Sequence, residues 1–385
     1  MQKRIFTLSL WIVLILFDVL IVSGICETWV RFFIPVANLS YYHDAKLGDM
    51  LTPNQKTCGY VEGNYSNDFF SNSYGFHDID RNTNKKQDTY RIQIYGDSLV
   101  AGAGVQIEDT IPSVTEKYLN KNKDIAANFE VMNMASGEDS TSAQFLVYKN
   151  IGTNFHPDLV ICYFMADFPD NILETHHRTR SPYHSLNKSG ELEDILPVPV
   201  NLATPFERFK RSSLLYRLFA NKLLASKAYN DAKAIANKAL YSLRPKSPST
   251  GETKAKASSS YAEQRMNALR TKSWPVTLKL ITEFRDIVEK NGSKFILIHG
   301  RNLTAGNTGG YTNLDFINFL KRNEISYILA YDIYEEIRFH RPKEENLFFE
   351  DSHPRAAGND ILGHHIADNL ASYFQQTKRT PQNEK

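Results

Sequence analysis

Cysteine is scarce in this chain: three in 385 residues, Cys26, Cys58 and Cys162. Three thiols make no disulfide framework, so the fold has to rest on its core. Cys162 falls in an apolar run and reads as a small core residue. Cys26 follows a hydrophobic stretch, but Gly24-Ile25-Cys26 lacks the small residue that lipoprotein processing needs just before its cysteine. It reads as unmodified. Charge of one sign is missing as well. Forty-five Lys and Arg against 43 Asp and Glu leave a formal net charge of +2, which points to no particular charged partner. No motif interleaves aromatic and basic residues, so no nucleic-acid partner is expected. His176-His177 has no further ligand at helical spacing and reads as a solvated pair. No metal or other cofactor is expected.

One long apolar run is present. Residues 5–24, Ile5 to Gly24, have about the length that crosses a hydrocarbon core as a helix. Lys3 and Arg4 precede it, which by the positive-inside rule keeps the N-terminus cytoplasmic. The run is too long for an ordinary signal-peptide core and has no clear small-x-small cleavage site, so a retained signal anchor is expected. The rest of the chain then lies outside the cytoplasm, in the periplasm if the source is bacterial. Asp18 interrupts the run. It either sits off-centre near water or in protonated form, or meets a polar group on a partner membrane helix.

Beyond the anchor, the expected organisation is 1–26 transmembrane anchor, 27–88 stalk and pre-domain segment, 89–175 first part of an α/β domain, 176–273 insertion, 274–378 second part, and 379–385 disordered tail. The stalk is turn-rich and punctuated by Tyr41, Tyr42, Tyr60, Tyr65, Phe69 and Phe70 without helical period. Strand 90–95, helix 111–121, strand 129–133, helix 140–150 and strand 158–163 then alternate, with Asp139 or Ser140 capping the second helix. Short apolar runs between helical patterns argue for a parallel sheet covered on both faces. From Phe206 to Tyr241 the pattern is helical, with Leu214, Leu215 and Leu218 opposite a basic side carrying Arg208, Lys210, Arg211 and Arg217. Pro245 to Ser260 reads as a flexible linker. After Trp274-Pro275 come an amphipathic helix (Leu278, Ile281, Phe284), strand 294–299, helix 313–322, strand 326–330 and a closing helix from Gly358 to Phe374. The tail from Gln375 on is polar.

The chemistry-bearing stretches lie at the two ends of this alternation. Tyr90 to Tyr95 stops at Gly96-Asp97-Ser98, the layout that presents a hydroxyl at the carboxyl end of a parallel strand beside a helix N-terminus. Asp97 reads as a turn-shaping residue. A serine nucleophile needs a base, and the base a carboxylate to orient it. Near the other end stands Glu350-Asp351-Ser352-His353-Pro354, where Asp351 and His353 can share one cleft.

Ser first and Asp-x-His last resembles the SGNH/GDSL hydrolase family. Val131-Met132-Asn133-Met134-Ala135-Ser136-Gly137 is similar to its second block, and His156-Pro157-Asp158-Leu159-Val160-Ile161 to the strand before its third. The resemblance covers roughly residues 72–175 and 274–375. It implies a three-layer α/β/α, flavodoxin-like parallel sheet, here with a helical insertion and one N-terminal transmembrane helix. It implies an acyl-Ser98 intermediate, His353 as base and then acid, Asp351 (or Glu350, three before the histidine) as its orienter, and an oxyanion hole from the backbone of Ser98 and Gly137. The chain departs from the family in its third block. Ala166 stands where the family has an asparagine, followed by the matching Asp167. Loss of one such donor costs about 10²–10³ in kcat. Asn133 or Asn171 could substitute, or two backbone N–H groups could serve alone.

The function so implied is a membrane-anchored serine esterase acting on acyl esters, O-acetyl esters foremost, of a cell-envelope glycan or lipid. One alternative is an O-acyltransferase of an envelope polysaccharide working with a multi-span membrane acyltransferase. Another is a non-catalytic scaffold.

Overall fold

The alternating apolar runs become one parallel sheet in the computed structural model. The structure describes residues 2–33, 41–58, 68–125, 127–135, 140–166, 168–172, 175–176, 179–180, 182–196, 213–216, 251–304, 310–341, 345–349 and 352–379. The chain divides into two units, residues 1–38 with 200–248, and residues 39–199 with 249–385.

In the first unit, helix α1 spans Gln2–Phe33. Leu10–Phe33 is long and apolar enough to cross a membrane, and its apolar side chains are mostly exposed, with Val30 buried. The expected end at Gly24 is overrun by nine residues, as Ile25, Trp29, Phe32 and Phe33 continue the apolar surface. Near its end, Glu27 accepts hydrogen bonds from the backbone N–H of Leu214 and Leu215 (both 2.9 Å) and from Ser213 Oγ (2.8 Å), and it pairs with Arg31. Of the helical pattern expected over 206–241, Leu214 to Tyr216 are seen as helix; the remainder lies outside the described residues.

The second unit opens with two antiparallel hairpins where a loose stalk is expected: β1 (Tyr41–Asp44) with β2 (Gly48–Leu51), and β3 (Lys56–Cys58) with β4 (Asp68–Phe70). Leu47, Met50 and Leu51 are buried there, and that burial orders a segment whose polar turns alone would not. Next come β5 (Thr89–Tyr95), α2 (Ser98–Ala101), α3 (Ile111–Lys121), β6 (Asn128–Asn133), α4 (Thr141–Asn150) and β7 (Leu159–Phe164). Thr110 and Ser140 cap α3 and α4 through their hydroxyls; Asp139 lies outside the described residues. Two short pairs follow, β8 (Thr175–His176) with β9 (Thr179–Arg180), and β10 (Tyr183–Leu186) with β11 (Leu192–Ile195).

Helix α5 runs unbroken over Gly251–Lys290, through both Pro275 and the stretch 251–260 expected as linker. Ala-, Glu- and Lys-rich composition outweighs the serines there; residues 245–250 lie outside the described residues. Then follow β12 (Lys294–His299), α6 (Asn313–Arg322), β13 (Ser326–Leu329), α7 (Tyr331–Glu335) with a π-turn over Glu336–His340, and α8 (Ala356–Arg379). The last helix takes in five residues, 375–379, expected as tail.

The sheet order is β6-β5-β7-β12-β13, with every pairing parallel. This is the doubly wound order 2-1-3-4-5, whose direction reverses between its first and third strands, β5 and β7. Strand alternation sends Ile94, Ile161, Tyr163 and Ile298 to one face, under α3 and α8, and Tyr95, Cys162, Phe164 and Leu297 to the other, under α4, α5 and α6. On the rim, Arg91 is buried yet satisfied by its cross-strand neighbour Glu130 (2.7 Å) and the carbonyl of Phe155 (2.6 Å).

Two buried imidazoles set the acid limit. Burial pushes His77 and His299 each down to about 4, against the hydrogen bonds they make to Ala101 O and Asn313 Oδ1. The unfolded chain takes up protons first below about pH 6.5, so each ring withdraws up to about 3 kcal/mol of stability as pH falls from there towards 4. Burial pushes Asp78 up to about 6, and because the folded chain protonates it first, it opposes this loss. Asp97, raised likewise by burial, acts with Asp78. Chemical denaturation should therefore show His299→Gln losing less, or gaining more, stability than wild type as pH falls from 7 to 5.

Candidate active site

Ser98 is presented by a turn that its neighbours dictate. A Cβ on Gly96 would collide with the Val100 side chain and press on Tyr163 Cβ at 3.2 Å. Asp97 caps α2 in extended conformation, its carboxylate accepting from Leu99 N–H at 3.0 Å. Leu99 and Val100 are buried, which anchors the single helical turn to the core. Gly102, at φ 74°, ends it. Ser98 N–H stands at the first helical position, where amides have no acceptor within the helix.

His353 comes from a loop that folds back on itself. Phe348 and Pro354 form an isolated antiparallel bridge. Phe349 N–H donates to His353 O (2.9 Å), Ser352 N–H to Phe349 O (3.0 Å) and Arg355 N–H to Leu347 O (2.8 Å). Asn359 on α8 donates to Asp109 O at 3.0 Å, tying the start of that helix to the segment before α3. The outcome is a separation of 2.7 Å between His353 Nε2 and Ser98 Oγ, from residues 255 apart in sequence.

The remaining candidates fare differently. Burial raises the carboxyl of Asp97, with Leu99 N–H and the charges of His353 and Arg301 pulling the other way. Its hydrogen bond to Leu99 makes it part of the turn. Asn133 is engaged within the fold: its amide nitrogen donates to His77 O (3.1 Å) and Val100 O (3.0 Å), and its oxygen accepts from Ala135 N–H. Asn171 is likewise engaged: its oxygen accepts from Ser142 N–H (2.8 Å) and its nitrogen donates to Thr277 Oγ1 (3.0 Å). Both amides brace the loops beneath the site. Gly137, Asp167, Glu350 and Asp351 lie outside the described residues. Ala166, just past β7, has φ 63°, a left-handed conformation that costs a non-glycine residue on the order of 1 kcal/mol.

Two features escaped the sequence reading. Ser352, beside the histidine, also has a positive φ of 76° and accepts a hydrogen bond from Arg338 at 2.7 Å. A second Ser-His-Asp array joins Ser142 Oγ to His184 Nδ1 (2.9 Å) and His184 Nε2 to Asp194 (3.0 Å). Ser142 and His184 are fully buried, and the array fastens the β10–β11 hairpin to α4. The His184 bond, with help from Lys149, holds Asp194 down to about 2. No spacing signal marks either feature, since both are made by tertiary approach. Cavities of about 750 and 420 Å³ lie elsewhere, lined by neither Ser98 nor His353. No cluster of three metal-capable side chains occurs among the described residues.

No family model and no curated protein matches the chain. Among solved structures it is similar to a two-domain esterase active on acetylated mannans, co-crystallised with mannopentaose (12% identity, TM-score 0.37, 77% of this chain, 53% of that one). The chain thus spans about half of that esterase's length. It is also similar to TesA (10% identity, TM-score 0.38, 73% and 98% of the two chains) and to an acetyl xylan esterase (13%, 0.35, 74% and 98%). At such TM-scores the activity of this chain has to be argued from its own side chains.

Asparagine tolerates left-handed backbone better than alanine. Ala166→Asn should therefore leave stability unchanged or raise it by up to about 1 kcal/mol, measured by thermal or chemical unfolding.

Proposed function

We propose that the chain is a membrane-anchored serine ester hydrolase of the SGNH/GDSL type, acting on O-acyl, chiefly O-acetyl, esters of a cell-envelope glycan or lipid. The observation that carries this reading is the 2.7 Å approach of His353 Nε2 to Ser98 Oγ at the switch point of the sheet. As Oγ attacks the ester carbonyl, its proton passes to Nε2. The carbonyl oxygen becomes an oxyanion, stabilised by Ser98 N–H and the backbone of Gly137. Collapse returns the proton from Nε2 to the leaving alkoxide and leaves acyl-Ser98. Water, deprotonated by the same ring, then releases the acid and restores the serine. Asp351 is assigned to hold the imidazole tautomer, with Glu350 as the other candidate.

The third-block alanine sets the expected rate. With no side-chain amide from residue 166, and with Asn133 and Asn171 engaged elsewhere, the backbone alone would bear the oxyanion. A slow enzyme is the natural outcome.

A second reading is favoured by α1. A helix with an apolar stretch long enough to cross a membrane, most of its side chains exposed and broken by Asp18, suits an acyltransferase that works beside a multi-span membrane partner and hands the acyl group to a sugar hydroxyl. A scaffold that has lost the chemistry is the reading that Ala166 alone would favour.

Ser98→Ala should remain folded and lose hydrolysis of a short acyl ester by roughly 10⁴-fold or more, and a fluorophosphonate should label wild type at Ser98 but not the variant. Unlabelled wild type would favour the scaffold. Ala166→Asn should raise turnover towards 10-fold or beyond if an oxyanion donor is what the site lacks. Full-length protein should stay with membranes through alkaline carbonate extraction, whereas a chain starting at residue 39 should not. Labelled acyl donor, given with and without a polysaccharide acceptor, separates hydrolysis from transfer.

A further inference from the structure

Building on the hydrolase reading, we propose that Arg338 is a positioning residue for His353, acting through the hydroxyl of Ser352. The histidine follows a residue in an unfavourable conformation. Ser352 holds φ 76°, a backbone state that a serine keeps only when its surroundings impose it. The imposing contact comes from outside the loop. Arg338 Nη2 donates to Ser352 Oγ at 2.7 Å, while Nη1 donates to Tyr334 Oη at 3.1 Å. Tyr334 is itself buried and meets Phe348 edge to face at 5.7 Å. The guanidinium also lies over the rings of Tyr334 (5.8 Å) and Phe339 (5.0 Å). One planar fork thus spans a fixed tyrosine and the peptide that carries the base, and a lysine ammonium has no such geometry.

The backbone around Arg338 fits that task. It lies in the π-turn over Glu336–His340, a rare geometry that re-aims side chains relative to a regular helix and recurs at functional sites. Four other hydrogen bonds shape the loop: Phe349 N–H to His353 O, Ser352 N–H to Phe349 O, Arg355 N–H to Leu347 O and Arg355 Nε to Phe348 O. All four are internal to residues 347–355, so they fix the loop's shape. The Arg338 bond fixes where that shape stands against the α7 segment, and with it the angle at which Nε2 meets Ser98.

The test compares Arg338→Ala, Arg338→Lys and Ser352→Gly in the full chain, on a short acyl ester, with Ser98→Ala as the blank. Glycine keeps the positive φ while deleting the hydroxyl. A displacement of about 1 Å at the base costs up to ~100-fold. Arg338→Ala and Ser352→Gly should therefore each lower kcat by about 10- to 100-fold with little change in KM. The double variant should be no worse than the poorer single one, Arg338→Lys should recover little, and added guanidinium chloride at non-denaturing concentration should partly rescue Arg338→Ala but not Ser352→Gly. Wild-type kcat in either single variant, losses that multiply in the double, or full activity in Arg338→Lys would overturn the inference and leave the hydrolase reading standing. Wild type that neither turns over ester nor labels at Ser98 overturns both.

Discussion

Everything at the candidate site depends on a contact between two residues 255 positions apart. Closing so long a loop is entropically costly, and no local propensity supports it. The parallel sheet makes it possible. Because β5 and β7 are neighbours while their following segments leave towards opposite faces, a crevice opens above their carboxyl ends, and Ser98 stands at its edge. His353 arrives by a different route, on the loop that leads into α8, whose inner side packs Leu362, Ile366 and Leu370 into the same core as Val100. The meeting of hydroxyl and imidazole is thus fixed from both sides by apolar burial in one cluster.

The crevice is built on polar groups that are occupied. Asn133 gathers the carbonyls of His77 and Val100, Asn171 joins α4 to α5, and Arg91 neutralises Glu130 inside the sheet's lower rim. A buried donor left without an acceptor costs about 1–3 kcal/mol, so these side chains cannot be released to bind a substrate without unsettling the loops they hold. The asparagine nearest in sequence to a reacting centre is therefore a poor guide to the one that reaches it.

That distinction marks where the sequence is legible. The five strands, α3, α4, α6 and the glycine-led turn before Ser98 are written in local patterns: apolar runs, capping hydroxyls at Thr110 and Ser140, and breaks at Gly96 and Gly292. The pairing of Ser98 with His353 could be expected because each carries its own local mark. The hairpins over Tyr41–Leu51 could not, since their turn-rich polarity conceals three residues that are buried only once the domain exists. The part of helix α5 before Trp274 was hidden by serines and Pro275, whose individual penalties are absorbed in a 40-residue helix anchored by Trp274, Phe284 and Val288. Arg338 was invisible for another reason. Its partners are Tyr334, on the same turn, and Ser352, whose positive φ no residue type announces.

The carboxylate of Glu27 ties the apolar helix to a distant part of the sequence. It closes off the start of a helical turn at Leu214 with three hydrogen bonds, so a polypeptide that leaves the apolar helix near Phe33 returns to it some 180 residues later. Cleavage beyond residue 33 would strip the acceptor from those amides. The apolar helix is therefore also a structural member of its unit.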